Sequence, residues 1–153
     1  MQINFGHWTW APTRETCMVW IRASELCYNK KVWLVGGGDL ETLELARKIV
    51  DLVSDKQATD ILLLDTQDVC TFTDYFIICS GESIRQIKAI VDNISDELKR
   101  IGVFPLHEEG TPDSGWILLD YGSIIVHVFS PMERDYYQLE KLWENAPIKV
   151  RVP

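Results

Sequence analysis

From residue 39 onward the apolar positions of the chain follow two periods, and each period predicts a kind of element. Leu40, Leu43, Ala46, Ile49, Val50 and Val53 recur three and four residues apart, one stripe of a helix that Asp39 is suited to cap. Residues 61–64 are wholly apolar, the pattern of a short strand covered on both faces. Residues 75–79 repeat that pattern and end at Ser80-Gly81. Ser83 and Gln86 have the spacing of a capping box and open a second helix. Its stripe is Ile84, Ile87, Val91, Ile94, Leu98 and Ile101, with Gly102 as the stop. Residues 103–107 predict a third strand. Residues 116–119 and 124–129 predict two more, joined through Asp120-Tyr121-Gly122-Ser123, a connection short enough to require antiparallel pairing. Pro131 starts a last helical stretch that runs through Trp143. The sum is an α/β (α+β) domain, a mixed five-stranded sheet flanked by helices.

The chain before residue 39 has neither period. Its 38 residues hold four of the six tryptophans (Trp8, Trp10, Trp20 and Trp33) and end on Gly36-Gly37-Gly38, a flexible joint. The expected division is therefore a poorly ordered extension over 1–38, as from a start codon placed too early, a domain over 39–147 and a tail over 148–153. Scarce acidic residues in 1–38 also suit an organelle transit peptide, but the tryptophan load does not. The expected location is the cytoplasm, or an organelle if that segment is a transit peptide.

Composition narrows the function. The content is 46% hydrophobic and 25% charged, ordinary for a folded domain, and no apolar run reaches bilayer length. Residues 1–38 carry four basic and two acidic side chains, which leaves 11 of the 15 basic and 21 of the 23 acidic groups beyond residue 38. So acidic a body repels phosphate backbones, and the acidity either suits a basic protein as partner or serves only solubility. Cys17, Cys27, Cys70 and Cys79 include no C-x-x-C pair, and His127 stands alone in an apolar strand, so neither a metal nor a cofactor is expected. The Ser80-Gly81-Glu82-Ser83 turn is suited to an anion, but no D-x-D pair follows on the next predicted strand, which leaves two-metal phosphoryl transfer without its carboxylates.

Two segments carry a resemblance. TDYFIICSGESIRQIKAI at 73–90, and residues 116–143 with their D-Y-G turn, V-H-V-F strand and R-x-Y-Y-x-L-E-K-L-W ending, resemble the ribosomal silencing factor family, also called RsfS or Iojap. The resemblance implies a nucleotidyltransferase-like fold without catalytic activity. It further implies binding to a basic protein of the large ribosomal subunit (large-subunit protein fourteen), a block to subunit joining, and repression of translation. Organellar relatives imply a role in large-subunit assembly instead.

The candidate contact residues follow from both lines. Trp116 is either a partner-facing anchor or a sheet residue packed under a helix, and the resemblance favours the anchor. Leu118 shares its sheet face by alternation, with Ile117 and Leu119 on the other. Asp120 either closes its own turn or meets a basic residue of the partner. Tyr121 is expected exposed at the turn tip. Glu108 and Glu109 are expected to rim the patch from the preceding loop. Such an apolar patch also suits a homodimer of the free protein. His127 is expected to be a satisfied core residue. Tyr136, Tyr137, Leu139, Leu142 and Trp143 should seal the end of the domain, and Arg134 should lie on a solvated charged face.

Overall fold

In the computed structural model, residues 39–153 are described, and the expectations for residues 1–38 lie outside them. Helix α1 (Asp39–Asp55) leads into strand β1 (Thr59–Asp65), which turns back into β2 (Tyr75–Ser80). Helix α2 (Ile84–Arg100) crosses to β3 (His107–Thr111), a single helical turn at Pro112–Ser114, β4 (Trp116–Asp120) and β5 (Ile124–Phe129). Two short helices, α3 (Pro131–Tyr137) and α4 (Leu139–Leu142), precede β6 (Ile148–Val152). The strands form one mixed sheet in the order β3-β4-β5-β2-β1-β6. Only β2 and β5 run parallel.

Strand alternation divides the core into two layers. Ile61, Leu63, Ile77, Cys79, Ile117, Leu119, Val126 and Val128 meet the buried stripes of α1 (Ala46, Ile49, Val50, Val53) and α2 (Ile87, Ile90, Val91, Ile94, Leu98). Burying that many branched side chains is the main favourable term in folding. On the opposite face Phe76, Ile78, Ile125, His127 and Phe129 are buried. The rings of Phe72, Tyr137 and Trp143 cover part of that layer.

The mixed α/β architecture is the expected one, with four differences. The sheet has six strands, because residues 148–152, expected as a tail, pair with β1: Ile61 opposes Val152 and Leu63 opposes Val150. The third strand is shifted from 103–107 to His107–Thr111, and all five of its residues are exposed. An edge strand has no second neighbour to bury it, so it needs no apolar run, and Pro105 lacks the N–H a ladder requires. The last helical stretch breaks at Gln138, whose φ of 44° lies in the left-handed region. Finally, Ile84 and Ile101, placed on the buried stripe of α2, are 54% and 50% exposed at its two ends, and Ile90 takes up the stripe instead.

The capping box is half formed. Ser83 Oγ accepts from Gln86 N, but the Gln86 side chain accepts from Glu82 N rather than from Ser83 N. Its Nε2 donates to the carbonyls of Lys56 and Gln57, so one residue ties the start of α2 to the α1–β1 turn. Among the described residues no helix is long and apolar enough to cross a membrane.

Candidate functional site

The register of the last strands sets three rows across one sheet face. Thr111, Trp116, Phe129 and Ser80 form one row. Glu109, Leu118, His127 and Ile78 form the next, and His107, Asp120, Ile125 and Phe76 the third. The rows grade from exposed at β3, through half-buried at β4, to buried at β5 and β2. Trp116 and Leu118 thus share a face, while Ile117 and Leu119 point into the helix-covered core, as alternation predicts.

Trp116 packs under a helix, as one of its two readings has it. Its ring stacks on Phe129 with centroids 4.9 Å apart, and Tyr137 of α3 lies 4.9 Å away on a tilted plane. Its Nε1 donates to His127 Nδ1 at 3.2 Å. Trp116 is half-buried, with Tyr137 of α3 against its ring and the exposed strand β3 as its neighbour in the sheet. Asp120 closes its own turn: Oδ1 accepts from Gly122 N at 2.7 Å, and Gly122 has a φ of 83°. Burial raises the Asp120 carboxyl above the usual carboxylate range, opposed by the Gly122 N–H and by the charge of His107 across the strand pair.

Three placements differ from expectation. Tyr121 is not an exposed tip. It is half-buried against the helix-side core, with its hydroxyl buried beside Ser95 of α2, and burial pushes the phenol up to about 12. Its N–H donates to the Ile124 carbonyl, and this tight closure rolls the side chain back onto α2, away from the Trp116 face. Glu108 and Glu109 stand on β3 rather than in a loop. Their cross-strand partners, Leu119 and Leu118, assign them to opposite faces, so only Glu109 flanks Trp116 and Leu118. Arg134 is no solvated charge: its side chain is 11% exposed. Its guanidinium donates to Glu140 Oε1 at 2.6 Å, to the Asp60 carbonyl at 2.5 Å and to Ser80 Oγ at 2.9 Å. It therefore clamps α3 and α4 to the ends of β1 and β2. Sequence reasoning missed that role because the partners lie 54 and 74 residues away.

His127 is buried as expected, at 4% exposure, between Phe76 and Phe129. It is not fully satisfied, since Nε2 has no hydrogen-bond partner. Leu139 is buried and Trp143 packs on Phe76, but Tyr136 is 63% exposed and does not seal the domain. Cys79 is a buried small hydrophobe, and burial pushes its thiol up to about 12. At the Ser80–Ser83 turn Gly81 N donates to the Phe129 carbonyl and Glu82 N to Gln86, so these donors are already engaged. Among the described residues no group of three or more His, Cys, Asp or Glu is placed to hold a metal ion.

The site therefore offers a half-open aromatic and aliphatic row with an acidic flank, suited to holding another macromolecule. The model of a family described as "Ribosomal silencing factor during starvation" matches residues 39–152, from α1 to the last strand. The chain belongs to that family. Ribosomal silencing factor RsfS of Bacillus subtilis is 45% identical over 94 residues, 61% of this chain and 80% of the relative. A Mus musculus relative, "Mitochondrial assembly of ribosomal large subunit protein 1", is 33% identical over 98 residues, 62% of this chain and 43% of its own length. A crystal structure of a Chromobacterium violaceum protein superposes with a TM-score of 0.65 at 34% identity, covering 67% of this chain and 86% of that one. Family membership places the chain among the ribosomal silencing factors, and β6 lies inside the matched segment.

Proposed function

We propose that this protein represses translation by occupying a basic protein of the large ribosomal subunit, on the side that meets the small subunit, so that the subunits fail to join. The observation that carries the reading is the Trp116–Leu118 row, half-open between an exposed acidic edge strand and a fully buried centre. An indole and a leucine in that position supply the desolvated middle of an interface, where a few residues hold most of the binding energy. Glu109, and Asp120 where its turn leaves one oxygen free, supply the rim. The surplus of acidic groups in residues 39–153 (21 against 11 basic) attracts a basic protein and repels RNA. The protein acts by obstruction and catalyses nothing. Tyr121, facing the other layer, stands outside the contact.

The test is co-sedimentation with purified large subunits, followed by a subunit-joining assay. Trp116→Ala and Leu118→Glu are each expected to weaken binding by about 2 kcal/mol, roughly thirtyfold, and to relieve the block to joining. A folded Trp116→Ala protein that sediments like the wild type would remove the contact assignment.

A second reading is favoured by the name of the mouse relative: the same surface serves assembly of the large subunit. Ribosome profiles after deletion separate the two. Accumulated assembly precursors support assembly, whereas mature subunits with unchecked joining support silencing.

A further inference from the structure

We propose that His127 is a positioning residue: it holds the Trp116 indole in the one orientation that presents it to the partner. The inference rests on the contact reading above and adds the residue that prepares that contact.

Strand β5 reads IIVHVF, and all six side chains are buried. Five are apolar. A histidine in the middle is costly, because an imidazole leaves water with two polar nitrogens to satisfy. Only one of them is satisfied. Nδ1 accepts the indole N–H of Trp116 at 3.2 Å, and Nε2 finds no partner. Because Nδ1 accepts, the proton of the neutral ring sits on Nε2, which leaves a buried donor unpaired. Burial pushes the imidazole down to about 3, so Nδ1 keeps its lone pair throughout the neutral range. Leucine or phenylalanine would fill the same space without either cost. Stability therefore does not account for a histidine at this position.

The geometry shows what does. His127 lies opposite Leu118, and Trp116 lies opposite Phe129, so the two rings meet on the diagonal with centroids 5.9 Å apart. The indole already rests on Phe129 and beside Tyr137. Those contacts are largely non-directional, and the second side-chain torsion of tryptophan is broad. Turning the ring over on Phe129 keeps most of the stacking but carries Nε1 away from His127. The hydrogen bond to Nδ1 is the directional contact that distinguishes the two orientations, and so fixes which edge of the indole faces the open side by β3.

The experiment compares the full-length wild type with His127→Leu, His127→Asn and Trp116→Ala. It measures thermal stability, affinity for salt-washed large ribosomal subunits and the indole N–H resonance of Trp116. Asparagine carries Oδ1 at the same distance from Cβ as the lost Nδ1, so it restores the acceptor. The expected result is a His127→Leu protein as stable as the wild type or more so, with a shifted indole resonance and roughly tenfold weaker binding. His127→Asn should recover both the resonance and the affinity. A His127→Leu protein that binds like the wild type while Trp116→Ala does not would overturn the proposal alone. Full binding by Trp116→Ala would remove the contact reading and the proposal together. Should His127→Leu fail to fold, nitrogen chemical shifts of the His127 ring in the wild type decide: an unprotonated Nδ1 supports the bond, and a protonated Nδ1 overturns it.

Discussion

His127 ties stability to pH through a single side chain. In the unfolded chain it titrates near the ordinary 6.5, whereas the folded protein refuses the proton until about pH 3. Between those values the unfolded state binds more protons, so acid favours unfolding. The contribution is fully present above pH 6.5 and is lost as the pH falls toward 3. Asp120 acts with the opposite sign, because its raised carboxyl takes a proton more readily when folded. Urea unfolding at pH 7 and pH 4.5 is expected to show the wild type losing on the order of 2 kcal/mol more than His127→Leu over that interval. Equal losses would mean that the imidazole is protonated inside the fold. At the same scale Tyr121 shows where sequence reasoning stops. A turn in the sequence marks the residues at its tip but not the direction in which each points. Here the Asp120–Gly122 bond and the Tyr121–Ile124 bond decide that.

Elements with strong periodicity were legible and those at the margins of the sheet were not. The α2 stripe and the apolar β5 run carry their own burial pattern, because packing on one layer selects the residues. Strand β3 is polar because, among the described residues, no strand pairs with its outer side. The apolar 103–106 run that resembles a strand is a connection, in which Val103 packs on the core while Phe104 and Leu106 stay exposed. Strand β6 did have a signal, the alternation Ile148-Lys149-Val150-Arg151-Val152, yet five residues at a chain end carry little weight without a visible partner. Its role is structural. Val150 and Val152 pack against the helix-side core, Asp65 N donates to the Pro147 carbonyl at 2.9 Å, and Lys149 pairs with Asp65 at 3.1 Å. Ending the chain after Pro147 exposes β1 as a long apolar edge. The truncated protein is expected to lose about 3 kcal/mol, from two part-buried valines and the ladder bonds, and to aggregate on heating. Calorimetry and light scattering check this, and an unchanged melting temperature would show that residues 148–153 are dispensable.

At the scale of the whole molecule, charge and shape divide the work of binding. The acidic surplus of residues 39–153 is spread over the body and acts at the range of the Debye length, about 10 Å at 0.1 M salt. The Trp116–Leu118 row acts only on contact. Long-range attraction speeds encounter, whereas desolvated contacts hold the complex once it is formed. The two are therefore separable in kinetics on immobilised large subunits. Raising the salt from about 50 to about 300 mM should slow association roughly tenfold and alter dissociation less than about twofold. Glu109→Lys should act in the same direction as salt. Trp116→Ala should instead speed dissociation and leave the salt dependence of association in place. If association ignores salt, the acidic body serves only solubility. If Trp116→Ala slows association without affecting dissociation, the half-open row is part of the approach rather than of the grip.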